Sequence, residues 1–224
     1  MNYTKMKGKN VLVNFFLSHH DASWNKKNDQ CQTFRIIKRT FDITVSLLAI
    51  IVLIPLFIII AIIIKMEDGG SVFYIQNRVG KDEKLFELYK FRSMTEKKRE
   101  SHFQTHNNSP EVTKIGRIIR RYKIDELPQL INVIKGDLSI IGPRPCLPET
   151  LREFGIKSKM RHSVRPGLSG ISQISGNIYL SWEERLDLDL RYVQDMSFLL
   201  DIIIISKTII LIIIGEEWGK QSSI

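Results

Sequence analysis

Residues 43–64 read ITVSLLAIIVLIPLFIIIAIII, 22 positions without a single charge. As a helix, a run of that length crosses the hydrocarbon core of a bilayer. Two features argue against a plain crossing. Pro55 stands near the middle, where it removes a backbone donor and bends a helix. Both flanks are also basic. Residues 1–42 carry eight Lys and Arg against three acids, and Lys65, Arg78, Lys81 and Lys84 follow the run. A true span leaves one side poor in Lys and Arg. The pattern therefore predicts a re-entrant helical hairpin over residues 34–66, broken at Pro55. Such a hairpin enters and leaves on the cytoplasmic face, and it is preferred here to a single span with a tolerated proline. Its break needs protein groups or interfacial water as partners, since lipid offers none.

The remaining chain reads as α+β and mostly helical. Residues 1–33 form a polar, basic tail, expected to be poorly ordered and without a cleaved signal. Residues 71–76 and 85–91 are short aromatic or β-branched runs around NRVGKDEK, which predicts a β-hairpin. In residues 114–123, Ile115, Ile118, Ile119 and Tyr122 fall on one helical face. Leu127, Leu130, Ile131 and Ile134 mark a second helix. Ser181 and Glu184 are spaced as a capping box ahead of a third. A second apolar stretch, residues 202–214, is too short to span and contains Ser206, Lys207 and Thr208. It predicts an interfacial or buried helix between Asp201 and Gly215. The expected division is a tail (1–33), a membrane hairpin (34–66), a cytosolic domain (67–200) and a C-terminal interfacial helix with its tail (201–224).

Lys and Arg outnumber Asp and Glu by 33 to 24, a net charge of +9. That excess suits anionic partners: phosphate-rich substrates, anionic membrane lipid or nucleic acid. No zinc spacing or RNA-recognition signature accompanies the charge, so nucleic acid is not expected. Two cysteines, Cys31 and Cys146, are too few for a disulfide framework. No Walker or dinucleotide-binding glycine loop is present. His102 and His106 lack a third ligand and read as a solvated pair. Cys146 reads as a buried, inert thiol rather than a nucleophile served by His162.

The sharpest local feature is Asp125-Glu126-Leu127-Pro128-Gln129. Pro128 belongs in a first helical turn, which puts Asp125 at or near an N-cap and Glu126 on the turn. Asp and Glu are ordinary helix-start residues, so capping alone explains the pentapeptide. The surroundings add chemistry. Arg117, Arg120, Arg121 and Lys123 come just before it, enough charge to hold a diphosphate. A carboxylate among such cations stays ionised and can serve as a nucleophile or a metal ligand. Tyr89-Lys90-Phe91-Arg92 ends the second strand, and alternation puts Lys90 and Arg92 on one face. Arg144 lies between two prolines in GPRP. Arg165 opens RPGLSG, with Gln173 shortly after; both loops limit the entropy lost in gripping an anion.

These segments, in this order, resemble the bacterial sugar transferase family in its small form, the monotopic phosphoglycosyl transferases. The resemblance is carried by Lys38-Arg39, Phe41-Asp42, Pro55, Gln76-Asn77-Arg78, Tyr89 to Met94, Asp125 to Leu130, Lys135-Gly136-Asp137, Gly142 to Pro145, Arg165-Pro166-Gly167, and Trp182, Asp189 and Tyr192. It covers about residues 34–210. It implies a monotopic enzyme of the bacterial inner membrane with its catalytic domain on the cytoplasmic face. It implies transfer of a sugar-1-phosphate from a UDP-sugar to polyprenyl (undecaprenyl) phosphate, with release of UMP. Asp125 would be the nucleophile and a ligand of Mg2+, and Glu126 its assistant. Lys90, Arg92, Arg120, Arg144, Arg165 and Gln173 would hold substrate. The oligomeric state, homo-oligomer or monomer, is left open. The chain departs from relatives at Ile54, where a Ser or Thr often precedes the hairpin proline, and at Asn177-Ile178, where Arg-Asn is common. The rival readings are a non-enzymatic basic membrane-anchored interaction protein and a transferase using another nucleotide-activated alcohol.

Overall fold

The computed structural model describes residues 28–95, 111–155 and 157–214. His102 and His106, and most of the N-terminal tail, lie outside these. The first helix, α1 (Asn28–Asp68), runs 41 residues and includes Pro55. The expected pair of helices separated by a break is not seen: helical structure continues through the proline. Helix also begins inside the segment expected to be a poorly ordered tail. At 1.5 Å per residue α1 is about 60 Å long, twice a hydrocarbon core of about 30 Å.

Only the two ends of α1 are covered. Near its start, Lys38 Nζ donates to Asp201 at 2.6 Å, and Asp42 accepts from Ser139 Oγ at 2.6 Å. Near its end, Ile60 and Ile64 pack with Phe91 and Ile119 in one apolar cluster. Between them Leu47, Leu48, Ile51, Val52, Ile54, Ile58 and Ile59 are exposed. Within the most apolar window of the helix only 11% is buried, whereas the core helix of a soluble protein is mostly buried. An exposed apolar face this large marks an interaction surface, and α1 is long and apolar enough to cross a membrane. The chain is membrane-associated through α1.

Strands β1 (Phe73–Val79) and β2 (Leu85–Phe91) pair antiparallel, with Phe73 opposite Phe91 and Val79 opposite Leu85. The hairpin is as expected, but β1 starts two residues later and takes in Asn77 and Arg78. The reversal is confined to Gly80–Lys84, where Asp82 and Glu83 adopt positive φ. Helix α2 (Lys114–Arg121) is capped by Thr113, whose side chain accepts from Gly116 N. A 3-10 turn (Ile124–Glu126) leads into α3 (Gln129–Lys135).

Asn132 fixes α3 against the sheet. It is wholly buried, its Nδ2 donates to Glu87 O at 2.6 Å, and its Oδ1 accepts from Tyr89 N at 3.0 Å. A two-stranded sheet leaves backbone groups of β2 open, and this side chain fills the place a third strand would take. Leu88, Val133 and Leu138 close the apolar seam beneath.

Strands β3 (Ser139–Ile141) and β4 (Gly167–Ser169) form a short parallel pair. The GPRP and RPGLSG loops are brought together by this pairing. A Cβ on Gly167 would lie 2.1 Å from Gly142 N, so only glycine permits the approach. Between these strands lie a 3-10 stretch (Pro148–Phe154) and α4 (Lys157–Arg161). After them come α5 (Ile171–Ile174), a 3-10 turn (Asn177–Tyr179), α6 (Trp182–Asp195) and α7 (Phe198–Ile214). Both halves of the expected Ser181–Glu184 capping box are present. Helix α7 starts three residues before the expected Asp201, which is buried and accepts from Lys38 and Tyr192.

Candidate active site

The chain reaches the acidic pair through a forced turn. Lys123 adopts a left-handed conformation, φ 57°, and the next three residues form the 3-10 turn carrying Asp125 and Glu126. Asp125 therefore caps nothing. The N-cap position of α3 is Pro128, without a side-chain cap bond, and Asp125 Oδ1 is buried with no hydrogen-bond partner. This corrects the expectation of an N-cap aspartate: the left-handed residue and the tight turn carry its side chain away from the free N–H groups of α3. A buried carboxylate oxygen without a partner is costly, and such groups are rare outside functional sites.

Glu126 is the opposite case. Its Oε1 accepts from Lys90 Nζ at 2.8 Å and from Arg144 Nη2 at 2.8 Å. Burial alone would push the Glu126 carboxyl up, but Arg144, Lys90 and Lys123 outweigh it and hold the group well below the usual carboxylate range. Asp125 is pushed up to about 6, first by burial and then by the Glu126 charge, against the pull of Lys90, Lys123 and Arg120. Burial lowers the pKa of Lys90 although Glu126 opposes the shift.

Three distant segments converge here. Lys90 comes from β2, the acidic pair from the 3-10 turn, and Arg144 from the loop after β3. Arg144 is held by its backbone. Arg161, only 4% exposed, donates Nη2 to Arg144 O at 2.6 Å while its Nε donates to Asp189 at 2.9 Å. Ser172 Oγ donates to the other Asp189 oxygen. Arg78 steadies the same loop by donating to Pro145 O at 3.1 Å. Sequence patterns assign none of these supporting residues a role; Arg78 and Asp189 lie on segments that carry the family resemblance, which is the one signal that points to them.

The other expected ligands are spread more widely. Arg120 contributes to the field at Asp125. Arg92 follows the end of β2 and pairs with Asp68 at the end of α1. Arg165 donates Nε to Gly136 O at 2.8 Å, at the far end of α3, and Gln173 donates to Leu168 O. Neither hydrogen-bonds to the acidic pair. Cys146 Sγ lies 3.5 Å from His162 Nε2, but burial raises the thiol and lowers the imidazole, so neither favours the ion that thiolate chemistry needs.

Among the described residues no group of three His, Cys, Asp or Glu side chains could enclose a metal ion. Mg2+ does not require one. It is commonly held by one or two carboxylates together with substrate phosphates. The partnerless Asp125 Oδ1 is a hard oxygen donor of the right kind, so the residues present fit that ion.

The site offers one partnerless carboxylate, one carboxylate fixed by two cations, and a surrounding positive field, beside a membrane helix. The sugar transferase EpsL of Bacillus subtilis is 40% identical over 181 residues, covering 81% of this chain and 89% of that protein. The exopolysaccharide production protein ExoY of Sinorhizobium fredii is 37% identical over 190 residues, covering 78% and 84%. A longer relative from Aeromonas hydrophila, a UDP-N-acetylgalactosamine-undecaprenyl-phosphate N-acetylgalactosaminephosphotransferase, is 38% identical over 189 residues, covering 81% of this chain and 45% of its own. With residues 33–215 also matching the family described as bacterial sugar transferase, the chain belongs to that family and is a transferase.

Proposed function

We propose that this chain transfers a sugar-1-phosphate from a UDP-sugar to polyprenyl phosphate through a phosphosugar–aspartate intermediate. The observation that carries this reading is Asp125 Oδ1, buried and partnerless beside a salt-bridged Glu126. An oxygen with no hydrogen bond keeps its lone pairs for phosphorus. The name of the Aeromonas relative supports the donor and acceptor classes.

In the first step the Asp125 carboxylate attacks the sugar-bearing phosphorus. The bond from that phosphorus to the bridging oxygen breaks, and UMP leaves with the electron pair. In the second step an oxygen of polyprenyl phosphate attacks the same phosphorus. The acyl-phosphate bond breaks, the carboxylate is restored, and a polyprenyl diphosphate sugar departs. Lys90 and Arg144 hold Glu126 ionised and in place, and Glu126 positions the incoming groups. Arg120 and Lys123 add positive potential where phosphate charge gathers. Mg2+, held by Asp125 and substrate phosphates, would supply further neutralisation of the departing UMP.

The placement of α1 supports the monotopic arrangement. Its start touches Ser139 and Asp201, and its end packs on Phe91 and Ile119, all in the same domain. In this reading both ends lie on one side of the bilayer, and the exposed middle dips into the lipid around Pro55. We place that side in the cytoplasm, on the inner membrane, where UDP-sugars are made.

The test is turnover by the full chain in detergent with a panel of UDP-sugars, Mg2+ and polyprenyl phosphate. UMP and a lipid-linked diphosphate sugar should appear together. A chain that binds UDP-sugar yet yields neither product, whatever the sugar, would refute the reading.

A further inference from the structure

Arg35, Lys38, Arg39 and Asp42 share one face of α1 by their three- and four-residue spacing, immediately ahead of the uncharged run. They form one wall of a cavity of about 60 Å³, closed by Lys81, Ser139, Arg165 and Tyr192 among others. Five cations and one carboxylate line it. The carboxylate is already engaged, because Asp42 accepts from Ser139 Oγ and pairs with Lys38. Lys38 also answers Asp201. Of the remaining cations, Arg39 and Arg165 repel one another, with Asp42 and Asp137 offsetting part of that at Arg39.

Part of this arrangement is structural. Arg39 donates to Ile134 O and Leu138 O, and Arg165 Nε donates to Gly136 O. Cations at the C-terminal end of a helix are favourable, so the two arginines close α3. That role leaves Arg35 and the terminal guanidinium nitrogens of Arg165 unused. Among the described residues Arg35 has no ion-pair partner, and Lys81 has only Asp82 at 3.9 Å, both well exposed.

We propose that this cavity binds the phosphate of a membrane lipid, at a site separate from the reacting centre. Size limits the ligand. A void of about 60 Å³ has room for about two waters, hence one phosphate group, while nucleotide-sized ligands need roughly 300 Å³ or more. Position sets the source. The cavity lies at the foot of the apolar helix, at headgroup depth, where basic pockets take lipid phosphates. Its separation from Asp125 follows from α3: the acidic pair precedes that helix and Gly136 follows its seven residues, which span about 10 Å along the axis. The proposal rests on the membrane placement of α1 and not on the transfer chemistry.

Native mass spectrometry of the full chain in detergent tests it. The probes are phosphatidylglycerol, phosphatidylcholine, polyprenyl phosphate and inorganic phosphate. The variants are Arg165→Gln and the double variant Arg35→Gln with Lys81→Gln, whose side chains sit on the rim; unfolding temperatures check that each variant folds. One anionic lipid per chain should be retained, phosphatidylcholine should not, and retention should fall at least tenfold in the variants. The lipid whose retention falls identifies the source: phosphatidylglycerol for a structural phospholipid, polyprenyl phosphate for the acceptor. Retention of both lipids unchanged in every variant would overturn the proposal. So would equal retention of phosphatidylcholine, or dependence of inorganic phosphate alone on these cations. Asp125→Asn should bind lipid at this site as the parent does, so failure of the transfer reading and failure of this one are distinguishable.

Discussion

Asp125 and Glu126 are adjacent in the chain and opposite in electrostatic situation: Glu126 is gripped by Lys90 and Arg144, while Asp125 Oδ1 touches no donor at all. The first is held ionised far below neutral pH, and the second is pushed up to about 6. The attacking group must be ionised. Formation of the intermediate should therefore fall as pH drops through about 6, with Glu126 contributing no further break until much lower pH. Single-turnover UMP release from pH 5 to 8 checks this. A rate that stays flat to pH 5 contradicts it.

The same shift makes a stability prediction. The folded chain holds a proton on Asp125 more tightly than the unfolded chain, whose value is near 3.8. The contribution of the group to stability is full below that value and lost as pH rises through about 6. At pH 7 the ionised carboxylate weakens the fold, by at most about 3 kcal/mol for a two-unit shift. Asp125→Asn should thus raise the unfolding temperature at pH 7 while abolishing turnover, and the gain should fade near pH 4. A capping aspartate would behave differently, since Asn caps as well as Asp and stability would not change. Urea unfolding at pH 7 and pH 4 decides between them.

Lys90→Met leaves Glu126 buried with one cation fewer. Breaking a buried pair in this way costs about 3 kcal/mol, and turnover should fall at least tenfold. Arg144→Gln should lose as much activity with less stability, because that side chain is 40% exposed and solvent screens its pair to under about 1 kcal/mol. Measuring denaturant midpoints and turnover of both variants tests the contrast; equal destabilisation would contradict it.

Asn132→Leu should uncouple the acidic pair from β2. It strips Glu87 O and Tyr89 N of their side-chain partners, at a cost of about 1–3 kcal/mol for the groups left unpaired. It also frees the register that sets Lys90 against Glu126. Activity should fall further than stability alone explains at a temperature where the variant is folded, as read from turnover beside circular dichroism.

Placing both ends of α1 on one domain predicts same-side labelling. With the native cysteines replaced, Phe34→Cys and Ser71→Cys should react with a membrane-impermeant maleimide from the same face of sealed vesicles. Labelling from opposite faces would rule out the monotopic arrangement.

Local pattern made much of this legible. The β-hairpin, α2, the capping box of α6 and the apolar C-terminal helix follow from spacing alone. So does the cationic company of Asp125, because Arg120 and Lys123 are its near neighbours in sequence. What escaped is what depends on long-range placement. Strand alternation relates Lys90 and Arg92 but does not give their partners: Lys90 pairs with Glu126 and Arg92 with Asp68. The N-cap reading of Asp125 failed on a single left-handed residue, Lys123, which carries no turn signature. Arg165 was expected to hold substrate beside Arg144. The parallel pairing of β3 and β4 does bring the loops together, yet its side chain goes to the end of α3. The bracing of Arg144 by Arg161 and Asp189 joins residues 28 positions apart, which no local periodicity encodes.

The most direct test is to trap the intermediate. The full chain is incubated with a UDP-sugar labelled in the sugar, with Mg2+ and without polyprenyl phosphate, then quenched and digested for mass spectrometry. A phosphosugar should be found on Asp125, should disappear when polyprenyl phosphate is added, and should never form in Asp125→Asn. UMP release by active protein with no adduct, or an adduct on any other residue, would contradict the account.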